Sequence, residues 1–512
     1  MSVIGLLLSC TKNTLEVDYL IVGGMVIDGT GRPSFKADVA INNKKIVFVG
    51  NEDTISIKAE HIVHAEGLVV SPGFIDPHTH SLNDLKSKGR NNNLNYLTQG
   101  VTTVMNGNDG EGTYNIDRLS AQLMAKGIGT NAAFLVGHGM VRNEILGREA
   151  VEPDSTQLYQ MKELVRQGME QGAFGLSAGL YYAPGSFAKT EEVIELAKVV
   201  KPYGGLYESH IRDESTYNIG LISAVEEAIR IGEEANVPVH IAHLKALGID
   251  VWHKSDEIIE IAEKAQARGV TLTADQYPWI ASGTNIDNAL ISRWVMAGGQ
   301  EEYYSRLKNK SLLTKIRSEM KENLRKRGGA NSILITADCR DTTMIGKTLA
   351  QIATSLNRDP ISVALEIALN GGARIASFNM DEYDVMNLMK QPWVMTCSDG
   401  SKGHPRKYAT YPQKYKEYVV KNQVLTLEEF IHKSSGMVAN TFGIKNRGVI
   451  KTGNMADIIV FDKDEYTPMA DFYHPEKLTR GMAYVFVNGK LAIDMGKYTG
   501  GLYGTVIKKE QR

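Results

Sequence analysis

The sequence predicts an α/β protein: a (β/α)8 TIM barrel with a small β-sandwich domain built from both chain ends. The middle of the chain alternates short apolar runs with helical stretches, which is typical of parallel strands joined by crossover helices. That middle holds eight strand-like runs, enough to close a barrel. Both ends are instead rich in short strands separated by Gly and Asn.

The β-rich ends predict one composite domain over residues 17–70 and 445–512, following an N-terminal tail over residues 1–16. Asp18–Gly24 and Ala37–Ile41 are apolar or alternating near the start, and Ala456–Asp462 and Tyr484–Lys490 repeat this character near the end. Because both stretches flank a different middle, we expect them to fold together.

Residues 71–444 form the predicted barrel, whose first strand begins slightly earlier, within the connection from the β-domain. The eight predicted strands are Leu68–Ile75, Val101–Asn106, Ala132–Gly137, Ala173–Ala178, Leu206–His210, Val237–His243, Thr271–Gln276 and Trp393–Ser398. Helical patterns lie between most of them, at Ser155–Gln171, Glu191–Val200, Leu221–Glu234 and Ser255–Ala267.

The gap between Tyr277 and Trp393 is too long for one crossover, and long connections usually carry function. It predicts an inserted, lid-like subdomain over about residues 285–344, before the last strand. The apolar helical pattern at Ile361–Leu369 is then expected to be the last barrel helix.

Composition excludes several classes of protein. A formal net charge of −2 gives no electrostatic reason to expect a nucleic acid or an anionic membrane as partner. Three widely spaced cysteines predict neither a disulfide framework nor a cysteine zinc site. No apolar stretch is long enough to predict a transmembrane span.

The first ten residues, MSVIGLLLSC, permit two interpretations. Leu7-Leu8-Ser9 before Cys10 resembles the end of a bacterial lipoprotein signal, which would place a lipid on Cys10 and tether the protein outside the cytoplasm. The segment lacks the basic region of such a signal, so an ordinary apolar N-terminus on a cytoplasmic protein is the equal alternative.

Metal-capable side chains follow the predicted strands at their carboxyl ends, where barrels of this kind carry their active sites. His78 and His80 end the first strand, and residues two apart on an extended segment face the same way. Asp109 follows the second strand, while His210 and His243 end the fifth and sixth. Each residue alone has an ordinary structural explanation, but together they predict a zinc site.

Asp399 follows the eighth strand and completes the predicted site. Zinc prefers imidazole and carboxylate ligands, and it lowers the pKa of bound water towards neutrality. A carboxylate beside that water can accept its proton and return it to a leaving group. Asp399 is therefore the predicted general acid/base.

At these residues the chain resembles the N-acyl-D-amino-acid deacylase (D-aminoacylase) family of the amidohydrolase superfamily, from about Val17 to about Asp494. The motifs that carry the resemblance are Gly73-Phe-Ile-Asp-Pro-His-Thr-His80, Gly100-Val-Thr-Thr-Val, Ser209-His-Ile-Arg-Asp-Glu214, Ala242-His-Leu-Lys, Asp275-Gln-Tyr-Pro-Trp, Trp393-Val-Met-Thr-Cys-Ser-Asp-Gly, Gly403-His-Pro-Arg406 and Arg447-Gly-Val-Ile-Lys-Thr-Gly-Asn-Met-Ala-Asp-Ile-Ile-Val-Phe-Asp462.

The resemblance implies a tightly bound zinc on His210 and His243 and a second, weaker metal position on His78 and His80. It also implies Asp399 as the general acid/base. It further implies four residues that hold the α-carboxylate of the substrate, namely Lys245, Tyr277, Ser282 and Arg406.

The chain departs from the family pattern at one position. The family has a metal-binding cysteine in a Gly-Asn-Cys-Gly turn, whereas this chain has Gly107-Asn-Asp-Gly110. A carboxylate can also ligate or bridge metals, but it is a harder ligand than a thiolate. We therefore expect Asp109 to act in place of the thiolate and to affect metal number and preference.

The expected activity is hydrolysis of N-acyl-D-amino acids to a free amino acid and a carboxylate. A dipeptide ending in a D-residue offers an equivalent amide. The sequence leaves two alternatives open. Cyclic-amide hydrolysis of the hydantoinase and dihydropyrimidinase type often uses a carboxylated lysine after the fourth strand, where this chain has Leu176-Ser-Ala-Gly-Leu180. A non-catalytic scaffold would be expected to lose the metal residues.

Overall fold

A computed structural model describes residues 14–51 and 55–510. Cys10 and most of the predicted tail lie outside these described residues, and so does the lipid-anchor interpretation. Within the described residues, none of the helices combines the length and apolar character that a membrane span needs.

A parallel barrel forms the centre of the molecule, which confirms the predicted fold class. The first two strands and the first part of the third strand pair in one sheet. The third strand is interrupted at Leu135, and its second part pairs in another sheet that continues to the eighth strand. A parallel bridge between Thr79 and Gly400 joins the first strand to the eighth and closes the barrel. The strands are Phe74–Asp76, Val101–Asn106, Asn131–Phe134 with Val136–Gly137, Gly175–Gly179, Leu206–His210, Val239–Ile241, Leu272–Gln276 and Val394–Thr396.

The crossover helices form the outer layer, and their apolar faces pack on the strands in one large hydrophobic core. Asp154 begins one of these helices with a capping box, because its carboxylate accepts from the backbone of Gln157 and the Gln157 side chain returns the contact. The helices are Leu82–Lys86, Leu94–Leu97, Ile116–Lys126, His138–Leu146, Ser155–Glu170, Thr190–Val200, Leu221–Ala235, Ser255–Ala267, Glu382–Lys390, Arg406–Lys414, Leu427–Ser434 and Gly436–Phe442.

The predicted first strand, Leu68–Ile75, is two strands rather than one. Val69–Pro72 joins the β-sandwich, and only Phe74–Asp76 enters the barrel. Gly73 lies between them, where a Cβ atom would come within 2.2 Å of the Thr102 side chain. The apolar run is continuous because both strands are buried, so the sequence pattern alone does not mark the break.

Two sheets form the β-sandwich, and side chains from both meet in a shared core that includes Ile21, Val39, Val70, Val460 and Phe486. One sheet consists of Thr14–Val22, Asp38–Asn42, Lys45–Gly50 and Ser56–His64. The other consists of Met25–Val26, Phe35–Lys36, Val69–Pro72, Ile458–Phe461, Met482–Val487, Lys490–Asp494 and Lys497–Tyr498.

Residues 504–509 lie outside the β-sandwich. Ala132 of the barrel donates its backbone N–H to Thr505 and accepts from Ile507, at 2.9 and 2.8 Å. Lys509 donates its backbone N–H to Gly172 at 2.9 Å. These residues lie along the barrel, although the sequence predicts them as part of the composite domain.

The insertion after the seventh strand is larger than the sequence predicted. A three-stranded antiparallel sheet joins Ala281–Asn285, Arg374–Phe378 and Ile333–Ala337, so the insertion runs to about residue 378. Its helices share a separate hydrophobic core with the sheet. They are Ile286–Leu290, Arg293–Met296, Gln300–Lys308, Lys310–Lys326, Leu349–Ser355 and Pro360–Leu369.

The helix Pro360–Leu369 packs in this insertion core, so the prediction that it is the last barrel helix is wrong. Glu382–Lys390 occupies that place before the eighth strand. The first strand of the insertion comes down to the barrel mouth, where Gly283 accepts a hydrogen bond from Arg406 at 3.3 Å. The insertion thus forms one wall of the cavity described next.

Candidate metal centre and active site

A cavity of about 590 Å³ opens at the carboxyl ends of the barrel strands. His80, Asp109, His210, His243 and Asp399 line it. His78 lies beneath them and is fully buried. The structure therefore brings all of the predicted metal ligands and the predicted acid/base to one end of the barrel.

Asp109 lies at the centre of this group. Its Oδ1 atom is 3.5 Å from Nε2 of His78, 3.5 Å from Nδ1 of His210 and 3.5 Å from Nε2 of His243. The two facing nitrogens of His210 and His243 are 2.8 Å apart. Three imidazoles and one carboxylate oxygen thus converge on a small volume.

A second group of donors shares Asp109. Oδ2 of Asp109 lies 3.6 Å from Nε2 of His80, and that nitrogen lies 3.1 Å from Oδ1 of Asp399. Nε2 of His78 is 3.8 Å from the same Asp399 oxygen. The donors therefore form two overlapping sets, one of Asp109, His210 and His243 and one of His78, His80, Asp109 and Asp399.

The chemistry of these donors fits a metal ion. Nε2 of His78 and Oδ1 of Asp109 are buried and have no hydrogen-bond partner among the described residues. A buried polar atom without a partner destabilises a fold by roughly 1–3 kcal/mol. A cation between these atoms would satisfy them, and imidazole with carboxylate is a ligand set that zinc prefers.

Three of these residues have unusual backbone conformations. Asp109, His243 and Asp399 have positive φ angles of 56°, 34° and 44°. Non-glycine residues seldom adopt this region, and such strain is concentrated at functional sites. Asp tolerates it better than most residues, which suits the turn that carries Asp109.

Two carboxylates that the sequence did not predict as part of the site also lie behind the histidines. Glu208 Oε1 is 3.4 Å from Nδ1 of His78, and Glu214 Oε1 is 3.2 Å from Nδ1 of His243. A carboxylate on the far nitrogen fixes the orientation of a metal-binding imidazole. The sequence could have indicated Glu208 as part of the site, because Glu208 lies two residues before His210 on a strand and shares its face.

Asp399 forms an ion pair with Arg406, whose Nη1 atom is 2.8 Å from Oδ2 of Asp399. Burial acts to raise the pKa of Asp399, but the charges of Arg406 and His243 outweigh it and hold that pKa well below its usual range. Asp399 is therefore ionised and able to accept a proton.

The four residues predicted to bind a carboxylate line the same cavity as the metal donors. The Arg406 guanidinium lies 4.6 Å from the ring centre of Tyr277, whose buried hydroxyl has no hydrogen-bond partner among the described residues. Ser282 is the fourth member of the set, and its hydroxyl lies 3.3 Å from the side-chain amide of Asn379.

Lys245 is less free than the sequence suggested. Its ammonium forms an ion pair with Glu214 and lies 2.8 Å from Nδ1 of His243. Both cations of the predicted carboxylate site, Lys245 and Arg406, are thus already paired with a carboxylate of this chain. An incoming carboxylate would share or replace those partners.

Comparison with known proteins identifies the family. The amidohydrolase family pattern matches residues 69–492. D-aminoacylase from Alcaligenes xylosoxydans xylosoxydans is 30% identical over 96% of this chain and 98% of its own length. N-acyl-D-glutamate deacylase from the same organism is 29% identical over 93% of each chain. This chain belongs to the D-aminoacylase family of amidohydrolases.

Solved structures agree with this assignment. A D-aminoacylase crystal structure superposes with a TM-score of 0.81 at 29% identity, covering 96% of this chain and 100% of the other. The N-acyl-D-glutamate deacylase of Bordetella bronchiseptica, complexed with zinc and a phosphonate mimic of the tetrahedral intermediate, also gives 0.81, at 28% identity and the same coverage.

Cyclic-amide hydrolases are more distant from this D-aminoacylase family member. A D-hydantoinase gives a TM-score of 0.56 at 14% identity, which shows a shared fold alone. The fourth strand, Gly175–Gly179, carries no lysine that could be carboxylated. The D-aminoacylase family assignment also argues against the non-catalytic alternative, because the predicted metal residues of this chain converge at the barrel mouth.

Proposed function

We propose that this chain is a zinc-dependent N-acyl-D-amino-acid deacylase that hydrolyses a linear amide to a free D-amino acid and a carboxylate. The observation that carries the proposal is the position of Asp399, which lies among the candidate metal donors on one side and pairs with Arg406 on the other. One cavity thus holds the hydrolytic group beside cations suited to a substrate carboxylate.

Asp109, His210 and His243 would hold the tightly bound metal, with His78 and His80 as a second and weaker position. Such a metal supplies a Lewis acid that polarises the acyl carbonyl and lowers the pKa of water. A related D-aminoacylase has a binuclear metal centre with one-metal activation and second-metal attenuation. Because Asp109 belongs to both donor sets, it would couple the two positions.

Asp399 moves the proton. Its ionised carboxylate accepts a proton from the attacking water as the water oxygen bonds to the carbonyl carbon. It then delivers this proton to the nitrogen as the C–N bond breaks. The electron pair of that bond leaves with the amine, so the products are a carboxylate and an amino acid.

Arg406, Lys245, Tyr277 and Ser282 would orient the substrate by its α-carboxylate. Arg406 suits a carboxylate because its planar guanidinium can donate two parallel hydrogen bonds. Fixing the carboxylate also fixes the carbonyl over the metal donors, and positioning of this kind contributes much of a catalysed rate. The same fixed points would discriminate between D and L configurations.

The test is hydrolysis of matched N-acetyl-D- and N-acetyl-L-amino acids by the purified, zinc-loaded protein. We expect release of the free D-amino acid, loss of activity on chelation and recovery when zinc is added. Activity that persists without metal would reject the metal-dependent mechanism. A preference for the L-enantiomers would reject the stereochemical assignment.

A further inference from the structure

A buried histidine, His404, lies between Arg406 and the cavity wall that the insertion forms. The side chain is 1% exposed, and its Nε2 atom is 3.1 Å from the carbonyl oxygen of Ala281. On the other side of the ring, the backbone N–H of Arg406 donates to Nδ1 at 3.1 Å. We call these two hydrogen bonds the His404 bridge, because they join the insertion strand Ala281–Asn285 to the segment that carries Arg406.

The two partners fix the protonation of the His404 ring. A backbone N–H can only donate, so Nδ1 is the unprotonated acceptor, and a carbonyl can only accept, so Nε2 carries the proton. Burial and the charge of Arg406 hold the pKa of His404 well below its usual value. The neutral ring serves both partners, whereas a protonated ring has no acceptor for the Arg406 N–H.

Two aromatic side chains hold the ring of His404 in this orientation. The ring of Phe472 lies edge-on to it with the centroids 5.0 Å apart, and the ring of Trp279 lies edge-on at 5.8 Å. Edge-to-face contacts of this kind are favourable and depend on ring orientation. The two nitrogens of His404 are therefore directed along one line between their partners.

The insertion strand Ala281–Asn285 makes a second contact with the same segment. It is an edge strand of its sheet, so the backbone groups on its open side need partners from outside the sheet. Gly283 accepts from Nη2 of Arg406 at 3.3 Å, and a Cβ atom at Gly283 would come within 3.2 Å of both that atom and the His404 ring. Ser282 lies between the two contacted carbonyls, so its distance from Arg406 depends on both contacts.

The other contacts of the Arg406 side chain do not set this distance. Its guanidinium pairs with Asp399 at 2.8 Å and donates to the Ser401 hydroxyl at 3.1 Å. Both partners belong to the segment after the eighth strand, as Arg406 itself does. They orient the guanidinium within that segment, whereas the His404 bridge ties the segment to the strand that carries Ser282.

We propose that His404 is a positioning residue that holds Arg406 and Ser282 at the spacing at which both bind one substrate carboxylate. The inference rests on the proposed function, in which Arg406 and Ser282 bind the α-carboxylate. His404 acts through its two hydrogen-bonded neighbours and not on the reacting atoms. Loss of the His404 bridge should therefore impair recognition of the carboxylate more than hydrolysis of the amide.

Two substitutions separate the two hydrogen bonds of the His404 bridge. His404→Asn puts an amide oxygen near the position of Nδ1, so it keeps an acceptor for the Arg406 N–H and loses the contact with Ala281. His404→Gln puts an amide nitrogen near the position of Nε2 and has the opposite effect. Because the spacing depends on both ends of the bridge, both substitutions should impair carboxylate recognition.

The readout is the ratio of kcat/KM for an N-acetyl-D-amino acid to kcat/KM for its C-terminal amide, measured on zinc-loaded protein. The two substrates share the scissile bond and differ in the carboxylate. Each variant should lower this acid-to-amide ratio about fivefold to tenfold, which is the effect of one lost hydrogen bond. Both substrates are measured on one sample, so a change in the folded or metal-loaded fraction cancels from the ratio.

His432→Gln is the matched control. The half-buried His432 ring also donates to a backbone carbonyl, that of Gly29 at 2.8 Å, but it is not among the residues that line the active-site cavity. This substitution should leave the acid-to-amide ratio unchanged. A fall as large as that in the His404 variants would show that the effect is not specific to the His404 bridge and would overturn the inference.

A double substitution tests whether His404 acts through Arg406. Arg406→Gln alone should lower the acid-to-amide ratio, and adding His404→Gln to it should change the ratio less than about twofold further. A further fall as large as in the wild-type background would contradict the inference, and so would an unchanged ratio in either single His404 variant. These outcomes leave the proposed function intact. If the wild type hydrolysed no N-acetyl-D-amino acid, the proposed function and this inference would both be overturned.

Discussion

Oδ2 of Asp399 lies 2.8 Å from Nη1 of Arg406, which joins the proposed acid/base to the proposed carboxylate-binding residue. This pairing has a consequence for the reaction. A substrate carboxylate that takes over Arg406 would weaken its hold on Asp399 and raise the pKa of that carboxyl. Substrate binding would thereby make Asp399 a better acceptor of the proton of the attacking water.

Arg406→Gln should therefore shift the acid limb of the pH profile. Arg406 lowers the pKa of Asp399, so its removal raises that pKa. The ionised form of Asp399 is present above its pKa and lost below it. As the pH falls, the variant should therefore lose activity at a higher pH than the wild type does. The measurement is kcat/KM against pH for the wild type and variant. An unchanged acid limb would contradict the coupling.

Asp399→Asn should lower kcat about 100- to 10,000-fold, because general acid/base catalysis contributes factors of this size. The substitution keeps the shape of the side chain and removes its basicity. Asp464→Asn makes the same chemical change at an exposed position in a turn of the β-domain and should retain full activity. A variant at position 399 with near wild-type kcat would exclude Asp399 from proton transfer.

Asp109→Asn should weaken metal binding at least about tenfold. Even residues that only hydrogen-bond to a metal ligand contribute about 10–100-fold to metal affinity, and Asp109 is proposed to be a ligand itself. Asn tolerates the positive φ at this position, so the turn should keep its backbone conformation. The readout is metal content per chain after gel filtration in metal-free buffer. Retention of the wild-type amount of zinc would show that Asp109 is not a ligand.

Lys414 makes the stability of the fold dependent on pH. The residue is fully buried, its Nζ atom is 3.0 Å from the Thr396 hydroxyl, and burial together with Lys433 lowers its pKa to about 7. Above pH 7 the folded state releases this proton while the unfolded state keeps it. The free energy of unfolding should therefore rise between pH 7 and pH 9, by up to about 2 kcal/mol.

Lys414→Met should remove this contribution and flatten the dependence, as measured by urea unfolding at several pH values. Lys451→Met, at an exposed position, serves as the control and should follow the wild type. If the free energy of unfolding of Lys414→Met rose with pH as steeply as that of the wild type, the assignment of the pH dependence to Lys414 would be contradicted.

Much of the site follows from local sequence patterns. The sequence predicts that His78 and His80 face the same way, because alternate residues of a strand share a face. The remaining ligands were expected nearby because the carboxyl ends of parallel strands meet at one end of a barrel. These rules depend on local geometry and topology, both of which a single sequence can indicate.

Other features depend on contacts that the sequence does not encode locally. Glu214 lies behind His243 only because the fifth and sixth strands are neighbours. The helix Pro360–Leu369 has the apolar pattern of a barrel helix, yet its partners belong to the insertion. A hydrophobic face indicates that a helix is buried but does not identify the surface that covers it.

The most direct test of the account is a metal titration of the metal-free protein, with hydrolysis of an N-acetyl-D-amino acid as the readout. The account predicts no activity without metal and a steep rise as the first equivalent of zinc binds at Asp109, His210 and His243. Full activity in the metal-free protein, or no hydrolysis of any D-substrate at one bound zinc per chain, would contradict it.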